Sequence, residues 1–122
     1  MTGWFGVDLD GTLAEWHGDI NAIGAPIPLM VERVKKWLAE GREVRIVTAR
    51  VAGTERTNPE GIVDSIEFAN KQRHMIMEWC MVVFDRVIPV TAEKDFGMIM
   101  LWDDRCVSVE TNTGRRTDGK QE

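Results

Sequence analysis

No stretch of the 122-residue chain approaches the roughly 18–20 consecutive apolar residues that a membrane-spanning helix requires. The amino-terminal residues meet a charge at Asp8, so the pattern of a secretory signal is missing as well, and a cytoplasmic protein with no membrane partner is expected. Cysteine is scarce. Cys80 and Cys106 lack the spacing of a zinc site and both lie in apolar runs, which predicts two buried free thiols in a reducing compartment. Basic residues are outnumbered, 15 against 20 acidic ones, for a net charge of −5. That balance disfavours a protein that coats duplex nucleic acid, which needs a dominant basic surface. It leaves room for an enzyme that grips one phosphate at a nucleic-acid end.

What is present is an ordinary globular balance, 43% hydrophobic and 29% charged residues, in a length suited to one core. The expected organisation is a single domain over residues 1–110 with a polar tail over 111–122. Trp4 to Leu9 is a short apolar run ending in an Asp-Gly turn signal and reads as a buried strand. Residues 14–27 hold Gly18, Gly24 and Pro26 and read as a loop. Pro28 to Glu40 reads as a helix, with proline in its first turn, Met30, Val34, Trp37 and Leu38 on one stripe, and Gly41 placed to stop it. Glu43 to Val47 alternates as a second strand. Thr57 or Asn58 opens a long second helix reaching about Trp79, with Ile62, Ile66, Ala69, Ile76 and Cys80 on its buried side. Met81 to Phe84 and Val87 to Val90 are β-rich, Met98 to Trp102 is another apolar run, and Cys106 to Val109 is a candidate final strand. Apolar strands separated by helices predict an α/β fold, a Rossmann-like three-layer α/β/α sandwich with a mainly parallel five-stranded sheet.

Sites in such folds form beyond the carboxyl ends of the strands. Asp8, Thr48 and Asp103 each stand at such an end. Asp8 and Asp10 are two residues apart, which puts their side chains on one side of an extended chain, and Gly11 lets the chain turn sharply beside them. Two carboxylates so close repel unless a proton or a cation intervenes. An oxygen-preferring divalent ion, Mg2+ above all, meets that need. His17 and His74 carry no comparable signal, and Trp16, Trp37, Trp79 and Trp102 read as core or rim packing.

These residues resemble the motifs of the haloacid dehalogenase-like (HAD) superfamily of phosphotransferases. Asp8-Leu9-Asp10-Gly11-Thr12 is similar to its first motif, Thr48 to the second, Lys94 to the motif lysine, and Asp103-Asp104 to the closing acidic pair. The resemblance spans residues 5 to 104. It implies that Asp8 attacks phosphorus, that Asp10 protonates the leaving oxygen and then activates water, and that Asp10 therefore titrates above its neighbour. It also implies that Thr48 and Lys94 hold the phosphoryl oxygens, and that Asp8, Asp103, Asp104 and the Asp10 backbone carbonyl ligate magnesium.

The segments between Gly11 and Pro28 and between Arg50 and Met81 are too short for a large cap domain. Capless members of the superfamily accept large substrates or close their sites by forming homo-oligomers. A narrower similarity, to the phosphatase domain of polynucleotide kinase-phosphatases, rests on Thr48-Ala49-Arg50, Gly53-Thr54, Asn58-Pro59 and Asp103-Asp104-Arg105. It implies that Ala49, Arg50 and Arg105 contribute to phosphate binding. No Gly-rich kinase loop accompanies these residues. The expected activity is magnesium-dependent hydrolysis of a phosphomonoester, on a small molecule or a polynucleotide 3′ end. The alternative is a catalytically silent HAD-like module that binds metal or phosphate in a regulatory or partner role.

Overall fold

Trp4–Asp8 forms β1, and both of its faces are closed, which is why it reads as an unbroken apolar run. It lies between β2 (Glu43–Val47) and β6 (Met98–Trp102), parallel to both. The computed structural model describes residues 2–53, 56–57, 63–64 and 66–121. Between β1 and β2 runs α1 (Pro28–Ala39), started by Pro28 and ended where Gly41 takes φ +79. There the N–H of Arg42 reaches back to the carbonyl of Trp37, satisfying an end that a left-handed residue makes possible. After β2 come a single 3-10 turn (Ala49–Val51), a small antiparallel pair β3 (Arg56–Thr57) and β4 (Val63–Asp64), α2 (Ile66–Phe84) and the two-residue β5 (Val90–Thr91). The main sheet has the order β5-β2-β1-β6 and is parallel throughout.

Among the described residues the sheet therefore has four strands, not the five expected. Val109, assigned to a fifth, bridges Arg116 instead, and the local turn is closed by Thr117 N–H to Ser108 O at 2.9 Å. That turn ties the polar 111–121 segment back to Ser108 and Val109. Met81 to Phe84 belong to α2 despite their β-rich composition. Val83 and Phe84 continue the helical spacing of Ile76 and Cys80 into the same core, so packing overrides local preference. The expected start of that helix falls partly outside the described residues. Val63–Asp64, which it would have included, is strand.

The two helices share one face. Met30, Val31 and Val34 of α1 and Ala69, Ile76 and Cys80 of α2 join one cluster with Val7, Val44 and Ile46. Successive steps from β1 to β2 to β5 move one way across the sheet, and right-handed crossovers then put both helices on the same side. The return to β6 uses only residues 92–97, with no helix, so the expected third layer is missing among the described residues. Trp4 covers that second face. Its indole N–H donates to Asp95 at 2.7 Å, Arg45 lies 4.4 Å over its ring, and Arg45 pairs with Asp95 at 3.0 Å. No helix among the described residues is long and apolar enough to cross a membrane.

Ile46 is fully buried in the shared cluster. Ile46→Ala should lower unfolding free energy by about 2–5 kcal/mol in urea titration. Val82→Ala, on the outer side of α2 at 87% exposure, should stay within about 0.5 kcal/mol of wild type. Equal losses at the two positions would show that the core is not where the buried residues place it.

Candidate metal and phosphate site

Asp8 closes β1, and the chain then winds tightly. The Leu9 carbonyl accepts the N–H groups of Leu13 and Ala14 at 3.0 and 2.9 Å, while the fully buried Leu9 side chain anchors the turn. Gly11 sits at φ +87, and a Cβ there would lie 2.5 Å from Asp104 Oδ2. Glycine is needed both for the turn and for the approach of that carboxylate. Thr12 ties the two strand ends together: its hydroxyl lies 3.4 Å from Asp8 Oδ2 and 3.2 Å from Asp104 Oδ1, and accepts the Asp104 N–H at 3.1 Å. The sequence signal for Thr12 was its place in the first motif, but its bridging contact was not read from it.

The parallel pairing of β1 with β6 brings Asp8 beside Asp103 and Asp104, and one carboxylate oxygen from each lies within 4.8 Å of the others. Asp8 is pushed up to about 7, first by burial, then by its hydrogen bond with Asp104 and the like charges of Asp103, Asp104 and Asp10. The donor set consists of hard oxygens only. Octahedral Mg2+ takes ligands at about 2.0–2.1 Å, which sets neighbouring and opposed oxygens roughly 3–4 Å apart. The three residues could hold such an ion once their oxygens, now within 4.8 Å of one another, close to those spacings.

Asp10 has a different environment. Its two oxygens accept a fork of bonds from Arg50, Nε to Oδ2 at 2.8 Å and Nη2 to Oδ1 at 2.9 Å, and its carboxylate stands outside the acidic trio. Arg50 is only 4% exposed. Its remaining donors bond Ile20 O, Ala22 O and Gln72 Oε1 at 2.9–3.1 Å. All five guanidinium N–H groups are engaged within the chain, so in this geometry Arg50 orients Asp10 and offers no free donor to a phosphate. It was expected as a phosphate ligand because sequence places it after Thr48 but does not show what it faces.

Thr48 is buried at the end of β2, and its hydroxyl oxygen accepts the Arg50 N–H at 3.2 Å, opening the 3-10 turn. Ala49 is exposed on that turn. Lys94 is exposed in the 92–97 connection and has no hydrogen bond or ion pair among the described residues. Its charge reaches Cys106, whose thiol is pushed up by desolvation and by the charge and hydrogen bond of Asp103. Lys94 thus shares the neighbourhood of the trio. Arg105 contributes its backbone N–H, which donates to Asp103 Oδ1 at 2.8 Å. Cys106 is exposed, contrary to expectation, because the chain has left the sheet after Trp102. Cys80 is buried in α2 as expected.

The loop between β1 and α1 is strapped over this region. Besides the Arg50 bonds, Gln72 Nε2 donates to Ile20 O at 3.0 Å and Trp79 Nε1 to Gly24 O at 3.1 Å. These strapping residues were missed, because Gln72 carries no motif and Trp79 read simply as packing.

No family model matches the chain, and no curated protein matches it. Among solved structures, it is similar to a conserved protein from Bacteroides thetaiotaomicron, with a TM-score of 0.55 and 20% identity, over 88% of this chain and 79% of that one. At that identity the likeness is one of fold.

The raised Asp8 carboxyl sets a pH signature. Its folded value of about 7 lies above the unfolded 3.8, so its contribution to stability is fully present below pH 4 and is lost as pH rises through 7. In EDTA, Asp8→Asn should therefore gain thermal stability relative to wild type steadily from pH 4 to 8. A difference that stays flat over that range would remove the case for a crowded, partly buried Asp8.

Proposed function

We propose that the chain is a small HAD-like, magnesium-dependent phosphatase that hydrolyses a phosphomonoester through an aspartyl-phosphate on Asp8. The observation that supports this reading most is the meeting of Asp8 with Asp103 and Asp104 at the end of the central parallel strands, with Asp10 held apart by Arg50. Two neighbouring aspartates in unlike surroundings suit unequal roles, and a cation on the acidic trio would favour the ionised Asp8 that a nucleophile requires.

In this reading an Asp8 oxygen forms a bond to phosphorus as the ester P–O bond breaks, and the leaving oxygen takes a proton from Asp10. Water then attacks the phosphoryl group, Asp10 accepts its proton, and inorganic phosphate leaves Asp8. Each Asp10 oxygen accepts one Arg50 bond and keeps a second lone pair, so the fork fixes its direction and leaves a place for a proton. Thr48 has a hydroxyl proton to donate to a phosphoryl oxygen, and Lys94 supplies positive charge near the same place. Asp8, Asp103 and Asp104 would hold magnesium, which would supply charge that offsets the transferring group. A polynucleotide 3′-phosphate and a small phosphomonoester are both substrates this open site would admit.

The engagement of both Asp10 oxygens by Arg50 favours one other reading, a silent module that binds metal or phosphate without turnover. Hydrolysis of an aryl phosphate and of 3′-phosphorylated oligonucleotides separates the two. Wild type should turn over with Mg2+ and not with EDTA, and Asp8→Asn should lose about a thousandfold or more. Asp10→Asn should lose about 10²–10⁴-fold while keeping its magnesium affinity, whereas Asp103→Ala should lose that affinity. Wild type and Asp8→Asn equally inactive on every phosphate class, with magnesium still bound, would establish the silent module.

A further inference from the structure

Trp16 lies on the strapped loop and remains 46% exposed, although a large indole gains most by burial. One face of its ring rests on Arg50, with the guanidinium carbon 5.5 Å from the ring centroid. The same guanidinium grips both oxygens of Asp10. The indole therefore stands one guanidinium away from Asp10, the group that meets the leaving oxygen in the proposed reaction. Its N–H has no acceptor among the described residues.

The position is fixed in advance. Arg50, Gln72 and Trp79 hold the carbonyls of Ile20, Ala22 and Gly24, and the loop ends are closed by Glu15 N–H to Ala25 O and Ile27 N–H to Leu13 O at 2.8 and 2.9 Å. An exposed aromatic on a held loop loses little freedom when a flat ligand covers it, which is the condition for a productive stacking contact.

Resting on the phosphatase reading, we infer that Trp16 is a stacking platform for the leaving group, and that the site selects phosphomonoesters whose alcohol carries an aromatic ring, a nucleobase or an aryl group. The outer indole face receives that ring, and its phosphoryl group reaches Asp8 past Asp10. Arg50 behind the indole serves the platform and the proton carrier together.

Phenylphosphonate and methylphosphonate test this without turnover, since neither has an ester bond to cleave. With Mg2+ present, calorimetric titration of wild type should show phenylphosphonate bound about tenfold tighter. Trp16→Ala should bring that ratio close to one, and Trp16→Phe should retain most of it. A ratio of one in wild type, or a ratio unchanged in Trp16→Ala, overturns the platform, as does failure of wild type to bind either phosphonate. Parallel hydrolysis of 4-nitrophenyl phosphate and of the 3′-phosphorylated oligonucleotides keeps the two readings apart. A Trp16-dependent ratio without hydrolysis leaves the platform standing and removes the enzyme, whereas hydrolysis with a Trp16-independent ratio does the reverse.

Discussion

The parallel pairing of β1 with β6 is the constraint on which the site depends. It sets the end of one strand against the end of the other, so Asp8 meets Asp103 and Asp104 although nearly a hundred residues separate them. An antiparallel β6 would have carried its acids to the opposite edge. Thr12 and Gly11 make the meeting close, one by bonding both chains and the other by leaving room for Asp104. The resulting repulsion is a cost to the folded chain without a cation, and such a cost is characteristic of places where function overrides stability.

Asp8 and Asp10 look equivalent in the sequence, and the fold makes them unequal. Asp8 points into like charge and partial burial, so its neutral form is favoured to about pH 7. Asp10 points the other way, into a buried guanidinium that is itself fixed by two loop carbonyls and Gln72. The expectation that placed the higher titration on Asp10 followed from its proposed task with substrate bound. In the chain alone, the crowded carboxyl is its neighbour's.

How much of this was legible follows from how local each signal is. Val7 with Asp8, Val47 with Thr48 and Trp102 with Asp103 mark strand ends by an apolar run meeting a polar residue, and a parallel α/β sheet gathers such ends at one edge. Gly41 announced its helix end through the same local chemistry. Arg50 could not be read this way, because its partners come from the turn after β1, the loop before α1 and the middle of α2. The layer count was equally hidden. Short alternating strands do not reveal that both crossovers fall on one side, nor that Trp4, Arg45 and Asp95 close the other face. Val107 and Val109 made Cys106 look like part of a strand, but with no further strand beyond β6 among the described residues they stay exposed.

The missing third layer bears on the site as well. With no large cap and no helix behind β6 among the described residues, orientation of a ligand at the candidate site would fall to the few side chains that are held rigidly. The loop before α1 is held by Arg50, Gln72 and Trp79, and Arg50 also holds Asp10, so loop order and the direction of Asp10 are one constraint. A change that loosens the loop must then disturb Asp10, and a change at Arg50 must loosen the loop. In a small open fold this economy of parts replaces enclosure. In the proposed reaction the position of the leaving group would be set by the same buried cation that sets the direction of Asp10.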